Sequence, residues 1–136
     1  MGMYTELVMG CELKSDTPEK VIEIMKYLIG REIEEEPKDL PDHPFFKCPR
    51  WRMIATCSSY YFGYSDSLSK LKYDDISNSW IFAIRSSLKN YDSEIEQFID
   101  WIKPYIADGS GWRRLIGYSL YEESSEPTLY YLNETH

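Results

Sequence analysis

Histidine is almost missing from this chain: His43 and His136 are the only two in 136 residues. Because histidine is the commonest general base and metal ligand, little remains for acid–base or zinc chemistry. Asp42, His43 and Cys48 in "PDHPFFKCP" fall short of the four ligands that structural zinc takes, so His43 reads as a solvated loop histidine. GxSxG, P-loop, GxGxxG and HExxH patterns are absent, which removes the minimum parts of the nucleophilic, phosphate-cradling and zincin mechanisms. Cys11, Cys48 and Cys57 are odd in number and form no CxxC pair. They read as reduced thiols of a cytoplasmic protein, and Cys11 and Cys57 as small core residues. No apolar run is long enough to span a bilayer and the opening does not read as a signal peptide, so no membrane association is expected.

What is present points to one globular domain, residues 1–136. The formal charge is -8, and that field opposes direct binding of nucleic acid or anionic membrane. The charge is uneven: between Lys47 and Lys89 seven Lys and Arg residues face only Asp66, Asp74 and Asp75. Twelve tyrosines give the surface rings with a polar tip.

Periodicity places the elements. From Met3 to Leu13 the odd positions Met3, Leu7, Met9, Cys11 and Leu13 are mostly apolar and the even ones include Tyr4, Glu6 and Glu12, a half-buried strand. In "SDTPEK", Asp16 or Thr17 is the expected N-cap with Pro18 in the first turn, and Val21, Ile22, Met25, Leu28 and Ile29 recur at helical spacing until Gly30. Residues 31–50, with "EIEEEP" and four prolines, read as a long loop. The glutamate run is a solvated charged surface rather than an acidic active site. Strands are expected at 51–59, 69–74 and 80–88. A second helix opens at Asp92 or Ser93, with Ser93 and Glu96 as a capping box and Ile95, Phe98, Ile99, Ile102 and Ile106 as its buried stripe. Strands at 113–121 and 128–132 close the chain.

The expected fold is α+β: a mostly antiparallel sheet of about six strands with two helices on one face. The order also reads as a tandem strand-helix-strand-strand repeat, residues 3–76 and 79–132, since "CELKSDTPEKVIEIMKYLIG" and "SSLKNYDSEIEQFIDWIKPYIADG" share an LK strand end, an acidic capped turn, an apolar stripe and a glycine. Any strand-to-helix joint shares these features too. A tandem pair of such units resembles the topology of the GyrI-like family, which implies small-molecule binding in a groove related to a pseudo-twofold axis. The stretches "MYTELVMGCELKSDTPEKVIEIMKYLIG" and "DDISNSWIFAIRSSLKNYDSEIEQFIDWIKPYI" are similar to small uncharacterised phage and prophage proteins of Gram-positive bacteria. That resemblance implies a mobile-element protein that counters a host system, and it carries no catalytic residues over.

Alternation then yields a candidate site. If the helices cover the apolar face, the other face presents Tyr4, Glu6, Arg52, Ser58, Tyr60, Arg85, Arg114, Tyr118 and Tyr131. Tyrosines stack on planar rings and arginines fork onto phosphate or carboxylate, so Tyr4, Arg52, Ser58, Tyr60, Arg85, Arg114 and Tyr118 suit a nucleotide-like anion. The same residues also suit the wet face of an antiparallel sheet, and a strand running into a turn at Gly63 accounts for the polar residues of "SSYYFGYSDS". The expectation is a non-enzymatic protein, needing no cofactor or metal, that sequesters a small anionic molecule. The alternative is an acidic inhibitor that binds a host protein directly. Exposed strand edges leave a homodimer open.

Overall fold

The odd–even alternation of the first segment becomes the centre of the sheet. In the computed structural model, which describes residues 3–30, 35–58, 67–107 and 114–132, strand β1 is Thr5–Glu12. Its odd side chains Leu7, Met9 and Cys11 are buried, as is Leu13 just beyond it. The chain then forms helix α1 (Glu19–Met25), strands β2 (Lys70–Asp74) and β3 (Ser79–Leu88), helix α2 (Glu94–Ile102), and strands β4 (Leu115–Tyr121) and β5 (Thr128–Tyr131). The five strands make one antiparallel sheet in the order β2-β3-β1-β4-β5. Both helices contribute to a single core with the odd face of β1: Val21, Ile22, Ile24 and Met25 from α1, and Ile95, Phe98, Ile99 and Ile102 from α2, pack with Phe82 and Ile84 of β3.

Both helices start where expected but by other contacts. Pro18 itself is the N-cap of α1, and the Thr17 hydroxyl donates back to the Lys14 carbonyl at 2.6 Å. α1 continues into a π-helical turn, Lys26–Gly30. At α2, Ser93 has φ 59 and makes no side-chain cap bond, so the capping box does not form. Asn90 replaces it: its Oδ1 accepts from the Ile95 N–H and its Nδ2 donates to Glu96 Oε1, both at 2.9 Å.

The expected strand over 51–59 is corrected. Trp51–Met53 is a 3-10 turn followed by further turn, and Trp51, Ile54 and Ala55 are buried while Arg52 and Met53 are exposed. Burial at i, i+3 and i+4 is helical spacing, which a period of two cannot satisfy. Ser59 lies outside the described residues, as do Tyr60, the Gly63 turn, Glu32, Glu34 and Arg113. The sheet therefore has five strands among the described residues rather than six. The second half keeps the strand-helix-strand-strand order, and among the described residues the first half has β2 as its single strand after α1.

The Pro-rich segment before that turn is part of the core. Pro44–Lys47 forms a 3-10 turn whose Phe45 is fully buried against Trp51, Phe98 and Trp101, with ring centroids at 5.9, 5.4 and 6.0 Å.

Candidate functional site

Residues paired across antiparallel strands share a face, so the register identifies what lies opposite the helices. Glu6 stands opposite Ser87, Val8 opposite Arg85 and Tyr118, and Tyr118 opposite Leu129. Tyr4, Arg85 and Tyr118 thus share the open face, as expected. Arg85, however, is no free anion receptor: its Nη2 donates to Glu6 Oε2 at 2.9 Å, and that carboxylate is 8% exposed. Lys89 lies over the Tyr4 ring, 5.7 Å from its centroid.

Arg52 and Ser58 lie elsewhere. Arg52, on the 3-10 turn, pairs with Glu36 and covers the Trp51 ring. Ser58 is exposed beyond that turn, on no strand. Arg114 precedes β4, and its Nη1 donates to the Ala107 carbonyl at 3.4 Å. Tyr60 lies outside the described residues. Of the seven residues that alternation assembled, Tyr4, Arg85 and Tyr118 are on the open face and Arg52 and Ser58 are on no strand.

A different arrangement has the shape of a ligand site. A groove of about 680 Å³ lies between α1, the turn before it and the end of the β2–β3 hairpin. This volume is within the roughly 300–1,000 Å³ of small-molecule sites. Its aromatic wall is the cross-strand pair Tyr73 and Trp80, ring centroids 5.3 Å apart and edge to face. Three lysines line it, Lys14, Lys20 and Lys26. Lys26 Nζ lies 5.0 Å from the Trp80 ring centroid. Lys20 pairs with Glu23 at 3.3 Å and also reaches the Lys38 carbonyl. Lys14 is exposed and its ammonium has no partner among the described residues.

The hairpin wall is braced by a chain of hydrogen bonds. Asp74 accepts from the Ile76 N–H and the Ser77 hydroxyl, Ser77 and Ser79 share a bond of 2.6 Å, and Ser79 donates to Glu12 at 2.7 Å. Asn78, at φ 55, supplies the left-handed turn position that asparagine tolerates. The Ile76 N–H above all, then the Ser77 hydroxyl, hold the Asp74 carboxyl below the usual carboxylate range. A carboxyl depressed in the folded state stabilises above its unfolded pKa, and that contribution is lost as pH falls through the folded value. Amide protection at the hairpin turn is therefore expected to fall on acidification below about pH 4. Asp74→Ala should lower protection at neutral pH and flatten this acid response, measured by hydrogen exchange. An unchanged response in the variant would show that Asp74 is not the brace.

His43 and Cys11 are held within the fold. His43 accepts from the Phe45 N–H at Nδ1, so its Nε2 carries the proton and donates to Asp100 at 2.9 Å. It is thus a half-buried clamp between the Pro-rich turn and α2, not a solvated loop residue. Burial pushes the Cys11 thiol up to about 12, with Arg114 a smaller opposing influence. Among the described residues no His, Cys, Asp and Glu side chains converge as a metal set, and no helix is long and apolar enough to cross a membrane.

No family model, curated protein or solved structure matches the chain. The groove was missed in the sequence because its parts, 14–26 and 73–80, are far apart along the chain. One signal was available: Glu19, Ile22, Glu23 and Lys26 recur at helical spacing, and the polar members of that stripe mark a helix flank that stays wet.

Proposed function

We propose that the protein is a non-enzymatic binding protein of phage or prophage origin that sequesters a small anionic molecule bearing a planar ring. The class favoured is a nucleotide-type signal of a host defence system. The observation that carries this reading is the groove, where an aromatic wall and lysines converge and the Lys14 ammonium has no partner among the described residues. A ring packs on the aromatic wall while the anion takes charge-assisted bonds from Lys14 and Lys26. This moves the expected ligand from the open sheet face to the opposite side, and away from Arg85, whose charge Glu6 already answers.

The test is calorimetric titration of the intact chain with nucleoside phosphates and cyclic dinucleotides, alongside native mass spectrometry with small molecules from a bacterial lysate. Lys14→Ala combined with Lys26→Ala is expected to weaken binding about tenfold or more, since one hydrogen bond to a charged group contributes about 1.5–3 kcal/mol. Tyr118→Ala, on the open face, should leave binding unchanged. Absence of any bound anion, or binding indifferent to both lysines, would sink the reading. The rival reading, an acidic inhibitor that occupies a basic surface of a host protein, rests on the formal charge of -8. Loss of a pull-down partner on charge reversal at Glu34, Glu35 and Glu36 would favour it.

A further inference from the structure

We propose a second binding site, of opposite sign and independent of the groove: a cavity between the start of α2 and the adjoining ends of β1, β4 and β5 that takes an alkylammonium group. The cavity has a volume of about 390 Å³. Thr5 stands opposite Tyr121, Ser119 opposite Leu7 and Thr128 opposite Ser119, so these hydroxyl-bearing side chains project from the same face as the buried Leu7. That face is elsewhere the apolar floor beneath the helices. Here it turns polar and α2 faces it with Glu96.

Two independent features identify what would fill it. The first is charge: Glu96 and Glu126 line the cavity and, among the described residues, no lysine or arginine does. Asn90 holds Glu96 by one oxygen at 2.9 Å while Tyr130 donates to the other at 3.1 Å, so the carboxylate is fixed in place. The hydroxyls nearby register the same field. Tyr130 is pushed up to about 12, by burial first, with the Ser119 bond opposing and the Glu96 charge adding. Tyr121 is raised by burial and then by Glu123 and Glu122. Arg50 lies over the Tyr91 ring but is paired with Asp92, outside the lining.

The second feature is Thr5. It is 7% exposed, lines the cavity, and its hydroxyl has no hydrogen-bond partner among the described residues. Its neighbour Ser119 is satisfied by Tyr130 at 2.7 Å. Lining the cavity with no protein partner among the described residues, the Thr5 hydroxyl offers an acceptor to a group that arrives from outside. An anion would meet two carboxylates, and an apolar group would leave Thr5 unsatisfied. A primary ammonium, with three N–H donors and a positive charge, answers both features.

The test is titration of the intact chain with spermidine and with Nα-acetyl-lysine methylamide, followed by amide NMR, against sodium chloride of equal ionic strength. Saturable shifts at Thr5, Ser119 and Tyr121 are expected with at least one probe. Tighter binding of spermidine assigns a free amine, and tighter binding of the lysine derivative assigns a lysine side chain of a partner. Glu126→Gln, an exposed change that leaves the core intact, should weaken binding about tenfold, and Thr5→Val should weaken it by a smaller factor. Met53→Gln, far along the chain on an exposed turn, should change nothing. Shifts reproduced by sodium chloride, or binding that survives Glu126→Gln combined with Glu96→Gln, would overturn the proposal.

Discussion

Phe45→Ala is expected to lower stability by about 3–5 kcal/mol, the range for removing a fully buried aromatic side chain. Phe45 has no exposed surface and touches four other rings: Phe46, Trp51, Phe98 and Trp101. Removing it leaves a void that these rigid side chains cannot close without breaking their own contacts. The loss also reaches the chain path, since the segment around Phe45 has no sheet partner and is held to α2 by this cluster and by the His43–Asp100 bond. Urea denaturation checks the magnitude. A loss below about 1 kcal/mol would show that the turn is a surface strap and not part of the core. Nucleotide titration of the variant at low temperature should still report the groove, because neither Phe45 nor its ring partners line it.

The same cluster explains where sequence reading succeeded and failed. β1, β3 and α2 were legible because each obeys one period over its length: Leu7, Met9 and Cys11 at spacing two, and Ile95, Phe98, Ile99 and Ile102 at helical spacing. The segment 51–58 was misread because alternation was imposed on residues whose buried members, Trp51, Ile54 and Ala55, follow the spacing of a turn. Arg52 and Ser58 were carried onto a sheet face with it. Arg85 was placed correctly, but its partnership with Glu6 depends on strand pairing, which no single-strand pattern contains. The groove and the acid-lined cavity lie deeper still, since each joins residues that only the fold brings together. Thr5 shows the limit clearly: threonine is ordinary in a strand, and its place in the cavity wall exists only beside Tyr121 and the start of α2.

Gly117→Ala is expected to destabilise the protein by about 3 kcal/mol, the upper end of ordinary overpacking. A Cβ at this position would stand 2.4 Å from Met9 Cβ, 2.5 Å from the Val8 carbonyl oxygen and 2.8 Å from Met9 Cα. Two of those atoms are backbone of the central strand, so relief requires β4 to move away from β1, and no side-chain rotation suffices. Gly10→Ala is the control, because its Cβ would meet Phe82 O at 3.6 Å and Ala83 Cβ at 4.0 Å, both ordinary contacts. An alanine there removes unfolded-state freedom without strain and should be neutral or slightly stabilising. Thermal melts of the two variants decide whether close approach or strand flexibility governs these glycines. Equal losses would refute the close-approach account. The functional consequence follows the geometry: β4 carries Ser119 and Tyr121 into the acid-lined cavity, whereas the groove is built from α1, β2 and β3. Gly117→Ala, in the fraction that stays folded, should therefore weaken ammonium binding while nucleotide binding persists.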